Sequence, residues 1–412
     1  MNELADELSR VIDAHCDADV ETLMRWSAIN SGTTNLDGLK RMSEAIVDAF
    51  APLGVTPEWL ELPPAESIDE RGNLVRSELG RGIHFVKRPD APRQVFLCIH
   101  YDTVFDAQHP FQVPQRIDAN TINGPGACDA KGGLVVMLAA LRAIEVCSVA
   151  KPRAAEPIGW EVYLNPDEEI GSPGSAAFFR EAGERHDVAL LFEPALADGS
   201  LVGSRKGSGE FTVVVHGRAA HAGRDFHAGR SATVALAEVI SRFDALNREL
   251  GASAGDVTVN CGKIDGGGAV NIVPDLAIGR FNVRVGTIDE MRRVEESMRA
   301  IVREVEGSRE GIRIELHGSF ASPPKVVDER SQRLFDLALD CGRDLGMNLS
   351  FKPSGGTCDG NKLSAAGLAV LDSLGVEGGE IHSDREFVRI DSIARRAKLT
   401  ALILARLAEA TL

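Results

Sequence analysis

The sequence predicts an α/β fold in which a small second domain is inserted into a larger one. Short apolar runs, QVFLCI at 94–99 and VALLF at 188–192, fit strands that are buried on both faces, as in a parallel sheet. These runs alternate with helical patterns, which is typical of an α/β domain. Between 207 and 320 the order becomes β-α-β-β-α-β, the ferredoxin-like arrangement, and the α/β pattern returns afterwards.

The elements follow in order from the spacing of apolar residues. Up to residue 206 this spacing predicts helices over 1–30, 38–50, 132–146 and near 173–183, and strands over 56–61, 72–78, 82–87, 94–99, 160–165 and 188–192. In the insertion it predicts strands over 210–216, 256–263, 276–285 and 311–317 and helices over 229–250 and 288–306. After residue 320 it predicts helices over 329–346 and 391–410 and a strand at 368–372. The predicted main domain therefore comprises 1–206 and 321–412, and the inserted domain comprises 207–320.

Composition excludes several classes of protein. The chain has 412 residues, of which 44% are hydrophobic and 26% charged, as in a folded globular protein of two domains. Its 45 Lys and Arg against 61 Asp and Glu give a net charge of −16, which disfavours nucleic acid and anionic membranes as partners. Seven cysteines without a C-x-x-C pair predict neither a disulfide framework nor a Cys-ligated zinc site. Because no apolar run approaches the roughly 18 residues of a membrane span and the acidic N-terminus does not resemble a signal peptide, we expect a cytoplasmic protein.

Metal-binding residue types follow the predicted strands. His100 and Asp102 follow the strand at 94–99, and in extended backbone residues i and i+2 share a face. A carboxylate in that position often fixes the ring of a metal-ligating histidine, although a lone histidine at a strand end is more often only a satisfied polar group. Asp129 lies in the glycine-rich segment 123–133, whose spacing matches neither a Walker A loop nor G-x-G-x-x-G.

Three further acidic residues and a second histidine extend this pattern. Glu168 and Glu169 belong to the run PDEE, in which consecutive carboxylates repel one another unless a cation is present. Adjacent side chains point apart, so one glutamate can bind a metal while its neighbour acts as a base; a solvated acidic loop is the alternative. Glu193 follows VALLF, and His382 follows a glycine-rich loop. Two histidines and three carboxylates from separate motifs form a ligand set that suits zinc.

These motifs resemble the co-catalytic zinc aminoacylase/carboxypeptidase family, which includes glutamate carboxypeptidase, acetylornithine deacetylase and succinyl-diaminopimelate desuccinylase. From about residue 95 to the C-terminus the matching motifs are HYDTV, GPGACDAKGG, PDEEIGS, FEP, GRAAHAG, VNIVP, SGGTCDGN and IHSDRE. The FEP, SGGT-D-N and H-S-x-x-E segments are most similar to glutamate carboxypeptidase. The resemblance implies a dinuclear-zinc exopeptidase-like catalytic domain and makes the ferredoxin-like insertion a lid or dimerisation domain.

The resemblance also implies roles for individual residues. It implies Glu168 as the general base, Asp102 as the residue that orients His100, and a cis peptide bond after Asp129. It implies two Zn²⁺ ions per chain, replaceable by Co²⁺ or Mn²⁺, with Asp129 bridging them. The implied ligands are His100, Asp129, Glu169, Glu193 and His382.

The insertion carries the implied substrate contacts. Arg284 resembles the family's clamp for a substrate carboxylate, with Asn271 nearby and Gly356 in the SGGT loop; a surface ion pair is the competing explanation for Arg284. His221, among small residues, is similar to the histidine that in relatives reaches across a dimer to the other active site. The resemblance therefore implies a homodimer through 207–320 in which His221 stabilises the oxyanion, whereas packing at a turn is the simpler alternative.

Together these observations predict a hydrolase that cleaves an amide or peptide bond next to a free carboxylate, with water activated by metal. The predicted substrate is a small carboxylate-bearing peptide or an N-acyl amino acid. An N-acyl-amino-acid deacylase is the alternative within the enzymes. A two-domain protein that binds a ligand without chemistry is the alternative from another class, and the presence of Glu168 and of both histidines disfavours it.

Overall fold

A computed structural model describes residues 3–150, 158–250 and 257–409. The helices are α1 (Glu3–Asp13), α2 (Cys16–Ser27), α3 (Leu36–Phe50), α4 (Gly132–Ala150), α5 (Ala176–Arg185), α6 (Ala232–Glu249), α7 (Ile288–Gly307), α8 (Glu329–Asp344), α9 (Asp359–Ala365) and α10 (Ile390–Leu407). The first ten strands are β1 (Glu58–Leu60), β2 (Ala65–Ile68), β3 (Leu74–Ser77), β4 (Gly82–Lys87), β5 (Gln94–His100), β6 (Gln115–Arg116), β7 (Thr121–Asn123), β8 (Gly159–Asn165), β9 (Val188–Leu191) and β10 (Leu201–Arg205). The others are β11 (Gly207–His216), β12 (Ala220–His221), β13 (Thr258–Gly266), β14 (Ile272–Val273), β15 (Leu276–Val285), β16 (Arg313–Ser322), β17 (Phe351–Ser354), β18 (Ala369–Leu371), β19 (Gly378–Gly379) and β20 (Phe387–Arg389). None of the described helices is long and apolar enough to cross a membrane.

A six-stranded sheet with the order β1-β4-β8-β5-β9-β18 forms the centre of the main domain. Strands β8, β5, β9 and β18 run parallel, and β4 and β1 extend the sheet antiparallel at one edge. The central strand β5 is buried on both faces, because Leu97 and Ile99 pack in the larger core while Phe96 and Cys98 pack on the opposite side. Helices α4 and α10 belong to the first core, and α5 and α9 to the second. The predicted α/β fold is confirmed.

A second, antiparallel sheet has the order β13-β15-β11-β16. With α6 and α7 its strands follow the β-α-β-β-α-β order along the chain. Phe211, Val213 and Val215 of β11 pack in one core with both helices, so the helices cover a single face of this sheet. The boundaries at 207 and 320 and a role as lid or dimerisation domain stay predictions.

The hairpin β2–β3 of the main domain contacts the other face of this small sheet. Gly72 lies at its turn with a positive φ of 79°, and a side chain there would come within 2.9 Å of Val214. Arg280 donates to the carbonyls of Ile68 at 3.0 Å and Asp69 at 3.1 Å. The hairpin therefore covers only part of the face, and the residues nearer the start of β11 line a cleft between the small sheet and the main domain.

Several elements differ from the sequence predictions for identifiable reasons. The single helix predicted over 1–30 is α1 followed by α2, because both helices bury their apolar stripes in the same core and the periodicity continues across the break. Strands β2, β10 and β17 were not predicted, since each has at most five residues and little apolar patterning. Helix α9 was also missed: it is seven residues long and begins at a capping box between Cys358 and Asn361 rather than with an apolar stripe.

Candidate metal centre and cleft

The parallel strands bring the predicted ligands to one edge of the main sheet. His100 is the last residue of β5, Glu168 and Glu169 follow β8 in a single 3₁₀ turn, and Glu193 follows β9. The carboxyl ends of parallel strands share an edge, which is where open α/β sheets place their sites. Asp129 joins them from the turn before α4. His382 comes from the loop between β19 and β20 and is half exposed.

Asp129 lies between two groups of candidate ligands. Its Oδ1 is 3.1 Å from Nε2 of His100, and its Oδ2 is 3.3 Å from Nε2 of His382. Glu193 Oε2 is 3.9 Å from the same nitrogen of His100, and Glu169 Oε2 is 3.5 Å from that of His382. The two carboxylate oxygens of Asp129 therefore face different histidines, and among the described residues His100, Asp129 and Glu169 bring their ligand atoms within 4.8 Å of one another, close enough to hold a metal ion.

The electrostatics of this centre fit cations. Burial, reinforced by the negative charge of Asp129, raises the pKa of Glu169 to about 10, and burial raises the pKa of Glu193 well above its usual value. Burial opposes ionisation of Asp129 as well, but hydrogen bonds from both histidines hold its pKa below the usual range. Oε1 of Glu169 is buried and has no hydrogen-bond partner among the described residues. A divalent cation would satisfy this oxygen and remove the repulsion between the carboxylates, so the donor set fits zinc.

Asp102 connects His100 to the turn that carries the two glutamates. Its Oδ1 lies 3.3 Å from Nδ1 of His100 and accepts the backbone N–H of Glu168 at 3.2 Å. Its Oδ2 accepts the backbone N–H of Glu169 at 3.2 Å and the hydroxyl of Thr33 at 2.7 Å. Thr33 lies in the first 90 residues, where no pattern marked it as part of the site. Asp102 is fully buried, and its carboxylate holds the glutamate turn, while Nδ1 of His100 lies 3.1 Å from the backbone carbonyl of Asp102 as well as 3.3 Å from its carboxylate.

Glu386 is a second residue that sequence reasoning did not single out. Its carboxylate accepts the backbone N–H groups of Gly126 at 3.0 Å, Cys128 at 2.8 Å and Asp129 at 2.9 Å. It thereby holds the turn that carries Asp129. The peptide bond from Asp129 to Ala130 is cis, as the resemblance implied. The H-S-x-x-E motif contained the signal for Glu386, but the motif alone did not indicate a backbone contact.

A buried network of hydrogen bonds around Asp359 contacts the segment that follows Glu168. Asp359 accepts hydrogen bonds from Ser172, from Asn165 at 2.8 Å and from Lys362 at 3.1 Å. Lys362 also donates to Ser322 at 3.3 Å. Burial raises the pKa of Glu168 to about 7, and the nearby negative charge of Asp359 adds to the shift. In the metal-free protein this carboxyl group is therefore harder to ionise than an exposed glutamate.

The centre opens into a cavity of about 710 Å³ that also contains predicted substrate contacts. Arg284 and Gly356 line it, together with Glu168. The Arg284 guanidinium donates through Nε to Asn282 at 3.0 Å and through Nη1 to Thr357 at 3.3 Å. A guanidinium held in this way can still bind a carboxylate in the cavity with its remaining donors.

The structure does not bring His221 and Asn271 to this cavity. Neither is among the described residues that line it, and both are exposed. They lie next to each other instead: the backbone N–H of Ala222 donates to the carbonyl of Asn271 at 2.8 Å, and β12 pairs with β14. Nδ1 of His221 accepts N–H groups from Gly223 at 3.1 Å and Arg224 at 3.2 Å, which leaves Nε2 as the protonated nitrogen.

The geometry agrees with comparisons to known proteins. The family described as peptidase family M20/M25/M40 matches residues 96–406 of the chain. Carboxypeptidase G2 of Pseudomonas sp. (strain RS-16) is 25% identical over 390 residues, which cover 94% of this chain and 88% of that protein. A probable carboxypeptidase of Aspergillus niger is 33% identical over 230 residues, and this match spans only 50% of each chain.

Solved structures share the fold. The aminopeptidase PepT of Bacillus cereus superposes with a TM-score of 0.72 at 21% identity, covering 95% of this chain and 99% of that one. A family M20 metallo-carboxypeptidase of Sulfolobus solfataricus superposes with a TM-score of 0.71 at 16% identity, with the same coverage of 95% and 99%. At 21% and 16% identity, the similarity to these structures establishes the fold alone. The family match over residues 96–406 includes strands of both the main sheet and the small sheet.

Proposed function

The chain belongs to peptidase family M20/M25/M40 and is a hydrolytic enzyme, and from this premise we propose that it is a dinuclear metallo-exopeptidase that cleaves an amide or peptide bond next to a free carboxylate. The observation that carries this proposal is the position of Asp129 between His100 and His382, in a cavity that also contains Glu168 and Arg284. The similarity to carboxypeptidase G2 supports cleavage at the carboxyl-terminal end of the substrate.

The metal ions in this proposal are two Zn²⁺ ions, which Co²⁺ or Mn²⁺ can replace. One would be held by His100, Asp129 and Glu193, and the other by His382, Asp129 and Glu169. When bound, such a pair polarises a carbonyl group and lowers the pKa of water. Asp102 keeps the His100 ring in the orientation in which Nε2 faces the first site, and Glu386 holds the bridging aspartate in place.

Glu168 acts as the general base. Burial raises the pKa of its carboxyl group above the usual glutamate range, which makes the carboxylate a stronger base for proton transfer. It takes a proton from the attacking water and then delivers that proton to the nitrogen of the leaving amine. Asp102 holds the backbone of the turn that carries Glu168, and Glu168 lines the cavity.

Arg284 and the Gly356 loop bind the free carboxylate of the substrate. This contact makes the enzyme an exopeptidase, because an internal peptide bond has no carboxylate at that distance. We extend the proposal to a homodimer formed through the small domain, in which His221 and Asn271 of one chain serve the cleft of the other. Support comes from their exposure, their proximity to each other and the protonated Nε2 of His221, which is the donor an oxyanion requires.

The experiment is metal removal and restoration with two probes, acetyl-Ala-Leu and acetyl-Leu. Chelation should abolish hydrolysis, and Zn²⁺, Co²⁺ or Mn²⁺ should restore it. Release of leucine from acetyl-Ala-Leu supports an exopeptidase, whereas faster release of acetate from acetyl-Leu assigns the site to a deacylase. Activity that survives exhaustive chelation, or absence of hydrolysis of both probes by protein reloaded with each metal, contradicts the proposal.

A further inference from the structure

Outside the candidate metal ligands and Glu168, four charged side chains line the described cleft: Arg205, Lys362, Arg284 and Glu210. Two of them are neutralised by buried partners. Arg205 is bidentate to Asp372 at 2.7 and 2.9 Å, and Lys362 pairs with Asp359 at 3.1 Å. The other two, Glu210 and Arg284, belong to the small sheet and carry opposite charges. Burial lowers the pKa of the Arg284 guanidinium, and the nearby charge of Glu210 opposes this shift.

Glu210 and Arg284 share the face of the small sheet that is turned toward the cleft. Phe211 packs under the helices, so its neighbour Glu210 points to the opposite face. In the ladder Glu210 pairs with Asn282, and Arg284 is two residues further along the same strand. Such diagonal neighbours lie about 7–8 Å apart. Glu210 and Arg284 therefore present a negative and a positive group side by side in one cavity.

The two groups differ in how they are held. Arg284 is fixed by Asn282 and Thr357, as a carboxylate clamp requires. Glu210 is exposed, and within the described ranges its side chain makes neither a hydrogen bond nor an ion pair. Ser319 pairs with Glu210 across the ladder between β11 and β16, and other small residues of these strands also line the cavity, namely Ser208, Gly318, Ala321 and Ser322. The space next to Glu210 can therefore admit a long side chain.

We propose that Glu210 is a specificity residue that binds the cationic side chain of a C-terminal lysine or arginine, while Arg284 binds the α-carboxylate of the same residue. This inference rests on the proposed exopeptidase function and names its substrate class. The four-carbon stem of lysine holds its ammonium group away from its α-carboxylate, so the two ends of one residue can reach two neighbouring protein groups of opposite charge. A C-terminal glutamate would place a like charge at Glu210, which disfavours binding. The net charge of −16 further favours the approach of a cationic peptide.

The test compares kcat/KM for acetyl-Ala-Lys, acetyl-Ala-norleucine and acetyl-Ala-Glu. Norleucine keeps the aliphatic stem of lysine but lacks the ammonium group. We expect the zinc-loaded protein to prefer lysine over norleucine by roughly tenfold, the lower range for a hydrogen bond to a charged group. Glu210→Gln should bring this ratio close to one, and Glu210→Lys should shift the preference toward glutamate. The matched control is Glu296→Gln, the same charge change on the exposed side of α7, and it should keep the ratio of the parent protein.

The outcomes separate this inference from the proposed function. Hydrolysis of all three peptides without a preference for lysine, or a ratio that Glu210→Gln leaves unchanged, overturns the role of Glu210 alone. Hydrolysis of none of them by metal-loaded protein overturns the exopeptidase function itself. Should the Glu210 variants not fold, product inhibition of the parent protein decides: free lysine inhibiting at least about tenfold more strongly than free norleucine supports the inference, and equal inhibition overturns it.

Discussion

Replacing Asp102 by asparagine removes one charge from the centre with almost no change in shape. The side chain is fully buried, and each of its oxygens accepts a backbone N–H, from Glu168 and from Glu169. In either orientation of the new amide, its NH₂ group faces one of these N–H donors. One buried donor is then left without an acceptor, and Nδ1 of His100 loses its charged partner at 3.3 Å and keeps only the backbone carbonyl of residue 102 at 3.1 Å.

The magnitude follows from these contacts. A buried donor without an acceptor costs about 1–3 kcal/mol, so metal-free Asp102→Asn should lose about this much free energy of unfolding. Loss of the partner that orients a metal-ligating histidine lowers metal affinity by about 10–100-fold. Chemical denaturation of the metal-free protein measures the first effect, and titration with zinc against a competing chelator measures the second.

Thr33→Val is the matched control, because it removes only the hydroxyl that donates to Asp102 at 2.7 Å and leaves both backbone contacts intact. Its effect on stability should be about 1 kcal/mol, the size of one hydrogen bond, and its zinc affinity should change by less than that of Asp102→Asn. If Asp102→Asn binds zinc as tightly as the parent protein and unfolds at the same denaturant concentration, Asp102 does not orient His100 and the reasoning is wrong.

Three further predictions concern catalysis and pH. Glu168→Gln should lower kcat by at least about a hundredfold at unchanged metal content, and near-normal turnover with two metals bound would remove Glu168 from the role of base. His221→Ala should lower kcat by about 10²–10³-fold. Mixing His221→Ala chains with Glu168→Gln chains should restore part of the activity, because one of the two sites in each mixed dimer is intact. If activity does not recover although exchange of subunits is verified, His221 does not act across a dimer. Burial raises the pKa of Glu168 to about 7 and that of Glu169 to about 10, so the metal-free folded protein binds more protons than the unfolded chain. The stability that these two groups contribute is complete below their usual pKa of 4.5 and is lost as the pH rises toward 10. The Tm of the metal-free protein should therefore fall between about pH 5 and 9, and more steeply than the Tm of the zinc-loaded protein. Equal slopes of Tm against pH for the two forms would contradict repulsion between the carboxylates.

The sequence predicted the positions of candidate site residues where a metal-binding residue type directly follows an apolar strand. His100 and Glu193 follow continuous apolar strands, so their positions at the sheet edge were predictable from local pattern alone. Arg284 was predictable only through the family resemblance, since an arginine in an alternating strand has no distinctive spacing. That Glu210 lies diagonally beside it depends on the register of β11 with β15, which no local pattern specifies.

Other parts of the site depend on contacts between distant segments. Thr33 and Asp102 are 69 residues apart, and Gly126 and Glu386 are 260 residues apart, so these hydrogen bonds exist only in the folded chain. The apolar spacing placed Gly72 at the start of a strand predicted over 72–78, whereas Gly72 lies in the turn between β2 and β3, against Val214 of the small sheet. Such hydrogen bonds between distant segments produce no periodic pattern in the sequence, because a single threonine or glutamate is enough to form each of them.

Anomalous X-ray scattering from crystals of the zinc-loaded protein distinguishes a dinuclear centre from a single metal site. We expect two zinc peaks on either side of the Asp129 carboxylate. One should lie about 2.0–2.2 Å from His100 and Glu193, and the other at the same distance from His382 and Glu169. A single peak, or two peaks that do not share Asp129 as a ligand, would contradict the dinuclear centre on which the proposed mechanism depends.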